Sequence, residues 1–427
     1  MSSHLASFLS LPYELRFEIY ELVLDQRLGY FPRFYLSIAS VNRQVRQEVL
    51  PIILQNSRYF SSLEKLSDWT SRGDPSLLNQ IQNVTVHMFE DSLLPVADAL
   101  AGRSKDSALD AKTAPKFWKT ISAPQIGRSS IKPAGRHSLR TKILSALGLS
   151  PPDLRPGNSK DAITSAWDAF TAINEVKKLW ILFKDNTHPS NRRSFPVEQQ
   201  LILDIIATAC QRVQELTIFS DFVSLDYLGH FQDLRQLRFS GYSKSDPEAT
   251  LKILQSLKKL DTMIVYRYPE SYDIDHSIVT SELPEHLSLT PHVIAQMNPL
   301  KHFQVSHMSS ALPSQHVNIP ILQALRSHLP TLCIFQLSSD YPLTEVIVEQ
   351  LLSLLAESRI TDLKIRVKIP KRYEKMDTET FFPKTCKGGE VSTRDANSSD
   401  LVHLAMTASG ACHHITHVNR MCICEST

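Results

Sequence analysis

LKHFQV, residues 300–305, and LCIFQL, residues 332–337, are built alike. Each opens on a leucine and places further apolar side chains three and five residues later, Phe303 and Val305 in one, Phe335 and Leu337 in the other. Positions +3 and +5 differ by two, so in an extended chain they face the same side. The residue between them, Gln304 or Gln336, faces the opposite side. The pattern predicts a short strand with one buried face and one polar outer face, entered through an apolar residue at position 0.

The same pattern recurs along the chain. It is found at Ile81/Val84/Val86, Val176/Leu179/Ile181, Val213/Leu216/Ile218, Leu234/Leu237/Phe239, Leu260/Met263/Val265 and Ile360/Leu363/Ile365. The intervening residue is often polar, as with Thr85, Thr217, Arg238 and Lys364. Amphipathic segments fill the gaps, among them VEQQLILDIIATACQ, PEATLKILQSLKK, NIPILQALRSHLP and PLTEVIVEQLLSLLAES. A single helix–strand pair cannot bury its apolar face alone, whereas a stack of them can. The fold class is therefore α/β: an irregular leucine-rich-repeat-like solenoid over residues 76–370. It is irregular because successive starts after residue 176 are 37, 21, 26, 40, 32 and 28 residues apart. The position three beyond the last strand site, where regular repeats carry Asn or Cys, holds no Asn here. An ordinary α/β domain with a parallel sheet is the alternative, although no Gly-rich phosphate loop follows any of the strands.

Upstream lies LPYELRFEIYELVL, residues 11–24. Leu15, Ile19, Leu22 and Val23 fall at helical spacing, Pro12 suits a first turn, and Glu14 sits near the positive helix end. A second helix is predicted in YLSIASVNRQVRQEVLP, with Ile38, Val41, Val45 and Val49 as its stripe. Arg43, Arg46, Gln47 and Glu48 form its wet face, Pro51 breaks or kinks it, and Ile52 to Leu54 start a short third helix. A helical unit this small buries little core by itself, so its apolar faces need a neighbour.

These two blocks resemble the F-box, in the divergent form common in fungal proteins. Leu11, Pro12, Glu14, Leu15, Ile19 and Leu22 carry the resemblance, followed by Val41, Arg43 and Arg46, and it covers roughly residues 9–60. The sequence departs from the standard motif in the loop around Gly29, Tyr30, Phe31 and Pro32, and in having Tyr59 and Phe60 where a tryptophan is usual. The resemblance implies docking on a Skp-family adaptor, and through it a cullin, by Leu11, Pro12, Leu15, Ile19, Leu22 and Val41. F-box proteins often carry leucine-rich repeats after the box, which suits the array downstream. Plain burial of Leu15, Ile19 and Leu22 in the chain's own core is the competing expectation.

Residues 102–160 carry twelve Lys or Arg against three Asp, a local net charge of +9 in a chain whose total is +2. This composition predicts a mobile loop between the strands at 81 and 176. The cations are scattered singly and without regularly spaced aromatics, so nucleic acid is not the expected partner. From residue 371 to 427 the helix–strand rhythm stops, which predicts a disordered tail. Its last part holds Cys412, His413, His414, His417, Cys422 and Cys424, but with no Cys-x2-Cys pair a metal site is not expected. No run of 18 apolar residues and no secretory signal pattern is present, which points to a cytoplasmic or nuclear protein with its six cysteines reduced.

No nucleophile-elbow, Walker, dinucleotide-binding or zinc-protease motif is present. The expectation is a non-enzyme without cofactor: a subunit that holds an unidentified protein client and tethers it to a Skp/cullin-type ubiquitin ligase. A stand-alone interaction scaffold, its N-terminal helices capping the solenoid, is the alternative.

Overall fold

All eight apolar-start motifs become strands, and within each unit described below successive ones pair in parallel. The computed structural model describes residues 8–24, 42–55, 58–106, 161–184, 195–220, 223–267, 286–307, 317–373, 382–383, 385–386, 389–395 and 400–409. The chain divides into two units, Met1–Leu234 and Arg235–Thr427. Each is a mixed α/β arrangement built on a mostly parallel sheet.

In the first unit the strands are β1 (Arg58–Phe60), β2 (Asn83–Phe89), β3 (Lys178–Lys184) and β4 (Glu215–Phe219), arranged in that order. Its helices are α1 (Tyr13–Leu24), α2 (Arg43–Gln55), α3 (Leu63–Arg72), α4 (Pro75–Leu78), α5 (Glu90–Asp106), α6 (Ala162–Ala172) and α7 (Pro196–Ala209). Ser62, Asp74 and Asp161 start α3, α4 and α6, each accepting a backbone N–H of the first turn on its side-chain oxygen. Val84, Leu179 and Leu216 stand opposite one another in register, as do Val86, Ile181 and Ile218. All six are buried.

The second unit contains β5 (Gln236–Phe239), β6 (Tyr242–Ser243), α8 (Pro247–Ser256), β7 (Thr262–Arg267), β8 (His286–Leu287), α9 (Pro291–Gln296) and β9 (His302–His307). There follow α10 (Ile319–Leu325), β10 (Ile334–Pro342), α11 (Glu345–Glu357), β11 (Asp362–Pro370), β12 (Glu390–Asp395) and β13 (Leu401–Ser409). The sheet order is β5-β7-β9-β10-β11-β13-β12. Two apolar rows run across its parallel part: Leu237–Met263–Phe303–Phe335–Leu363 and Phe239–Val265–Val305–Leu337–Ile365. Every member of both rows is buried. Asp246-Pro247 and Thr290-Pro291 start α8 and α9, a capping side chain followed by the residue whose missing N–H costs least at that place.

The strands are held at their entry by a repeated backbone device. Position 0 is buried throughout, at Ile81, Val176, Val213, Leu260, Leu300, Leu332 and Ile360. The carbonyl at +1 then accepts two bonds from the next strand entry, from its +1 and +2 N–H groups. In the first unit Gln82 accepts from Lys177 and Lys178, and Lys177 from Gln214 and Glu215. In the second, Arg235 accepts from Asp261 and Thr262, Asp261 from Lys301 and His302, Lys301 from Cys333 and Ile334, and Cys333 from Thr361 and Asp362. These bonds measure between 2.7 and 3.1 Å.

Side chains outside the repeated positions tie adjacent pairs together. The Asn298 amide donates to the carbonyls of Leu254 and Leu257, at 3.1 and 3.0 Å, at the end of α8. His328 is buried; its Nδ1 accepts from the Leu300 N–H at 3.1 Å, which leaves Nε2–H to donate to the Ile294 carbonyl at 2.6 Å. Gly241, with φ of 87°, turns the chain out of β5, and its carbonyl accepts from Ser288 and Leu289. That φ lies in the left-handed region, where a Cβ is strained.

Three expectations need correction. The 371–427 segment is not irregular throughout: β13 runs antiparallel along the whole of β11, and β12 pairs with β13. Val402, Leu404, Met406 and Ala408 supply the buried face that makes this possible. Pro51 does not end the second helix, which runs from Arg43 through to Gln55 and absorbs the expected third one. The same helix starts after Asn42, whose side chain accepts the Val45 N–H at 2.8 Å, so Ile38 and Val41 precede it. Of the basic insert, residues 102–106 end α5 and 107–160 lie outside the described residues, as do Cys412 to Cys424. No helix among the described residues is long and apolar enough to cross a membrane.

Two titratable groups, the buried His328 and the half-buried Asp204, give pH-dependent expectations. Burial lowers the His328 pKa, so its contribution is present above the ordinary histidine value and is lost as pH falls. His328→Ala leaves the Leu300 N–H and Ile294 C=O without their partner; urea unfolding at pH 7.5 should show a loss of about 1–3 kcal/mol, shrinking toward pH 5. Asp204, on α7, behaves oppositely. Burial first, and then the Asp226 carboxylate, push it up to about 7 against the hydrogen bond from Gln200. Its folded form is favoured at low pH and penalised as pH rises through that value, so Asp204→Asn should raise the melting temperature at pH 8 and not at pH 4.

Candidate protein-docking face of the N-terminal helices

α1 and α2 pack on each other through a small core of Tyr20, Val45, Val49 and Ile52, joined by Leu9 and Phe17. Phe8 meets the Tyr20 ring edge-on, with centroids 5.5 Å apart. A core this small leaves orientation to polar contacts, and one pair supplies them. The Arg16 guanidinium binds Glu48 in bidentate fashion, Nε to Oε2 at 3.0 Å and Nη2 to Oε1 at 2.6 Å. Its Nη1 donates to the Leu11 and Leu9 carbonyls, fixing the turn that leads into α1. Tyr20 Oη and Gln44 Nε2 each donate to Glu48 at 3.0 Å.

Both charges are shielded: the side chains of Arg16 and Glu48 are 8% and 12% exposed. Hydrogen bonding from Arg16, ahead of the smaller contributions from Gln44 and Tyr20, holds the Glu48 carboxyl down to about 2. Burial, with the Glu48 hydrogen bond second, lifts the Tyr20 hydroxyl to about 12. The Arg16–Glu48 clamp thus stays ionised, and Tyr20 neutral, across the physiological range. Glu48 was expected on the wet face of the second helix; it is instead the acceptor that joins the two helices.

The clamp decides which face of α1 is left over. At about 100° of rotation per residue, Leu15 and Ile19 each lie one step round from the inward Arg16 and Tyr20. Leu15 is 47% exposed and Ile19 37% exposed. Pro12 lies on the same side and is exposed, while Leu11 is half-buried and gives its carbonyl to Arg16. Leu22 falls within α1 on the same stripe by spacing, but its side chain is not among those described, and Val41 lies outside the described residues. Tyr13, 49% exposed, lies on the other side of α1 from Leu15, with its ring beside Phe17 and near the Arg16 guanidinium, and Phe8, 37% exposed, packs on Tyr20. Hydropathy periodicity had no means of separating Leu15 and Ile19 from the core, because the core side of the helix is reached through an arginine.

Chemically this face offers aliphatic contact through Pro12, Leu15 and Ile19. Among the described residues no three His, Cys, Asp or Glu side chains are grouped as metal ligands.

The clamp sets a pH window. Glu48 contributes above the ordinary glutamate value, and the contribution is lost as pH falls toward about 2; Tyr20 contributes below its ordinary value, and the contribution is lost as pH rises through about 12. Glu48→Gln removes the charge from a shielded site and leaves Arg16 unpaired. Hydrogen exchange in peptides covering 8–24 and 42–55 should accelerate at least tenfold at pH 7, while peptides from β9 to β11 stay unchanged. The chain matches no protein-family model and no curated protein.

Proposed function

We propose that the protein is a non-catalytic substrate-recognition subunit of a Skp/cullin-type ubiquitin ligase. In this reading α1 and α2 form an F-box-like unit that docks on a Skp-family adaptor through Leu11, Pro12, Leu15 and Ile19. The F-box resemblance assigns Leu22 and Val41 to the same docking set. The helix–strand pairs after it are an irregular leucine-rich-repeat-like solenoid that presents a protein client, and the transfer of ubiquitin belongs to partner proteins. The protein acts inside the cell, in cytoplasm or nucleus, without a cofactor.

The observation that carries the reading is the exposure of Leu15 and Ile19 on a helix whose other side is already satisfied by the Arg16–Glu48 clamp. Complete burial of an aliphatic side chain is worth about 1.5–3 kcal/mol relative to its exposure, and these two retain a substantial part of that gain for a partner. The solenoid part is supported by strand order following chain order, by the in-register apolar rows and by the repeated +1 carbonyl. A doubly wound sheet reverses its order at a switch point; the parallel strands β5, β7, β9, β10 and β11 do not.

The test is adaptor capture. The purified chain should retain a Skp-type adaptor, and Leu15→Asp combined with Ile19→Asp should weaken capture by at least about tenfold, or 1.4 kcal/mol. Hydrogen exchange in α2 should be unchanged by the double variant, because neither side chain belongs to the α1–α2 core. A wild-type chain that captures no adaptor leaves the stand-alone scaffold as the surviving function.

A further inference from the structure

The outward side of β11 carries Lys364, Arg366 and Lys368 in alternate positions, with Leu363, Ile365, Val367 and Ile369 buried on the other side. Lys364 and Arg366 are exposed and Lys368 is half-buried. Three other cations of this unit are paired. Lys301 pairs with Asp261 at 2.9 Å, Arg326 with Glu357, and Arg372 with Glu345 at 2.8 Å and Glu349 at 3.3 Å. Among the described residues no carboxylate pairs with Lys364, Arg366 or Lys368. The acids on this face form no ion pair with the three, although Asp362 continues the same row. Asp362 is two residues before Lys364, and Glu390 is two strands away in the row that joins Lys364 to Thr407. The charge acts beyond its own strand: burial first and Lys364 second lower His302, on β9, to about 4.

From this surface we infer that β11 is a docking strip for an acidic, extended segment of a protein. Alternate side chains on a strand repeat at roughly 6.6–6.8 Å. An extended peptide lying along β11 with Asp or Glu at every second residue has the same repeat, so three carboxylates meet three cations one to one. Pro342 and His403 stand opposite Lys368; beside Lys364 and Arg366 the flanking outward positions are Gln336 and Ser338 on β10, and Thr407 and Ala405 on β13. The side chains beside Lys364 and Arg366 are small or neutral, leaving a shallow floor on which a backbone fits and from which it can take hydrogen bonds. They include no aromatic ring, and single-stranded nucleic acid depends on such rings for base stacking. Charge complementarity selects an acidic ligand, and the lack of stacking partners beside Lys364 and Arg366 favours protein over nucleic acid.

The proposal deepens the client-holding half of the function proposed above, and rests on it only in calling the ligand a client. It is tested without an adaptor, so its failure and a failure of adaptor capture are separate results. Fluorescence anisotropy on the purified full chain would compare three labelled probes: a peptide alternating Glu and Ser, its Gln-Ser counterpart, and an oligothymidylate of equal charge. The Glu-Ser peptide should bind, more weakly as salt is raised, and the Gln-Ser peptide should not. Replacing Lys364, Arg366 and Lys368 together by Gln should reduce peptide affinity at least tenfold with an unchanged circular dichroism spectrum. The triple Glu replacement should abolish binding. Peptide binding that survives both variants overturns the proposal and assigns the affinity to another basic segment. Oligothymidylate binding as tight as that of the peptide, and equally sensitive to the three replacements, overturns the choice of a protein ligand.

Discussion

In both units, carbonyls at strand entries accept two N–H groups from the entry of the next strand. That bond pair fixes the register of each strand against its neighbour, and a slip of one residue would turn every apolar side chain to the wrong face. Position 0 makes it possible: a buried Leu, Ile or Val directs the following carbonyl toward the incoming strand. With register fixed at the entry, what lies between strands is free to vary. The uneven spacing of the pairs is therefore compatible with straight rows such as Leu237–Met263–Phe303–Phe335–Leu363. Loop length changes closure entropy only slowly, so insertions are tolerated between strands and not within their first residues.

The N-terminal pair solves a different problem. Its core is Tyr20, Val45, Val49 and Ile52 with Leu9 and Phe17, too little to orient two helices by packing alone. Direction comes from a shielded ion pair, whose bidentate geometry admits one arrangement where a greasy contact admits many. The arginine spends an inward position of α1 on polarity, and the aliphatic residues beside it remain outside. Stability and an available apolar face thus have a common origin in Arg16.

Strand positions were legible because the anchor and the +3 and +5 sites report one periodicity over a short window, at Leu300, Phe303 and Val305 as at Ile360, Leu363 and Ile365. Helices α7, α8, α10 and α11 were legible from apolar spacing. The side-chain ties between adjacent helix–strand pairs were not. Asn298 and His328 stand at different offsets from their strands, and their partners are backbone groups that no side-chain pattern marks. β13 carried a period-two signal at Val402, Leu404, Met406 and Ala408, but it lacks the anchor three residues ahead, and β12 is an edge strand with only polar neighbours to announce it. The exposed stripe of α1 was half legible: Leu15 and Ile19 were selected as a stripe, while the side on which they ended depended on Glu48, 32 residues away from Arg16.

The antiparallel β13 has a consequence for how this array could have grown. Parallel pairs propagate because each entry carbonyl presents the same two acceptor directions to a following entry. Beyond β11 the chain reverses, and the next strand meets β11 from its far end. A duplicated helix–strand pair added after β13 would therefore find no matching entry to extend, whereas one inserted anywhere from β5 to β11 would find one on each side. The hairpin acts as a terminator: lengthening by duplication has to occur within the array and never at its C-terminal end.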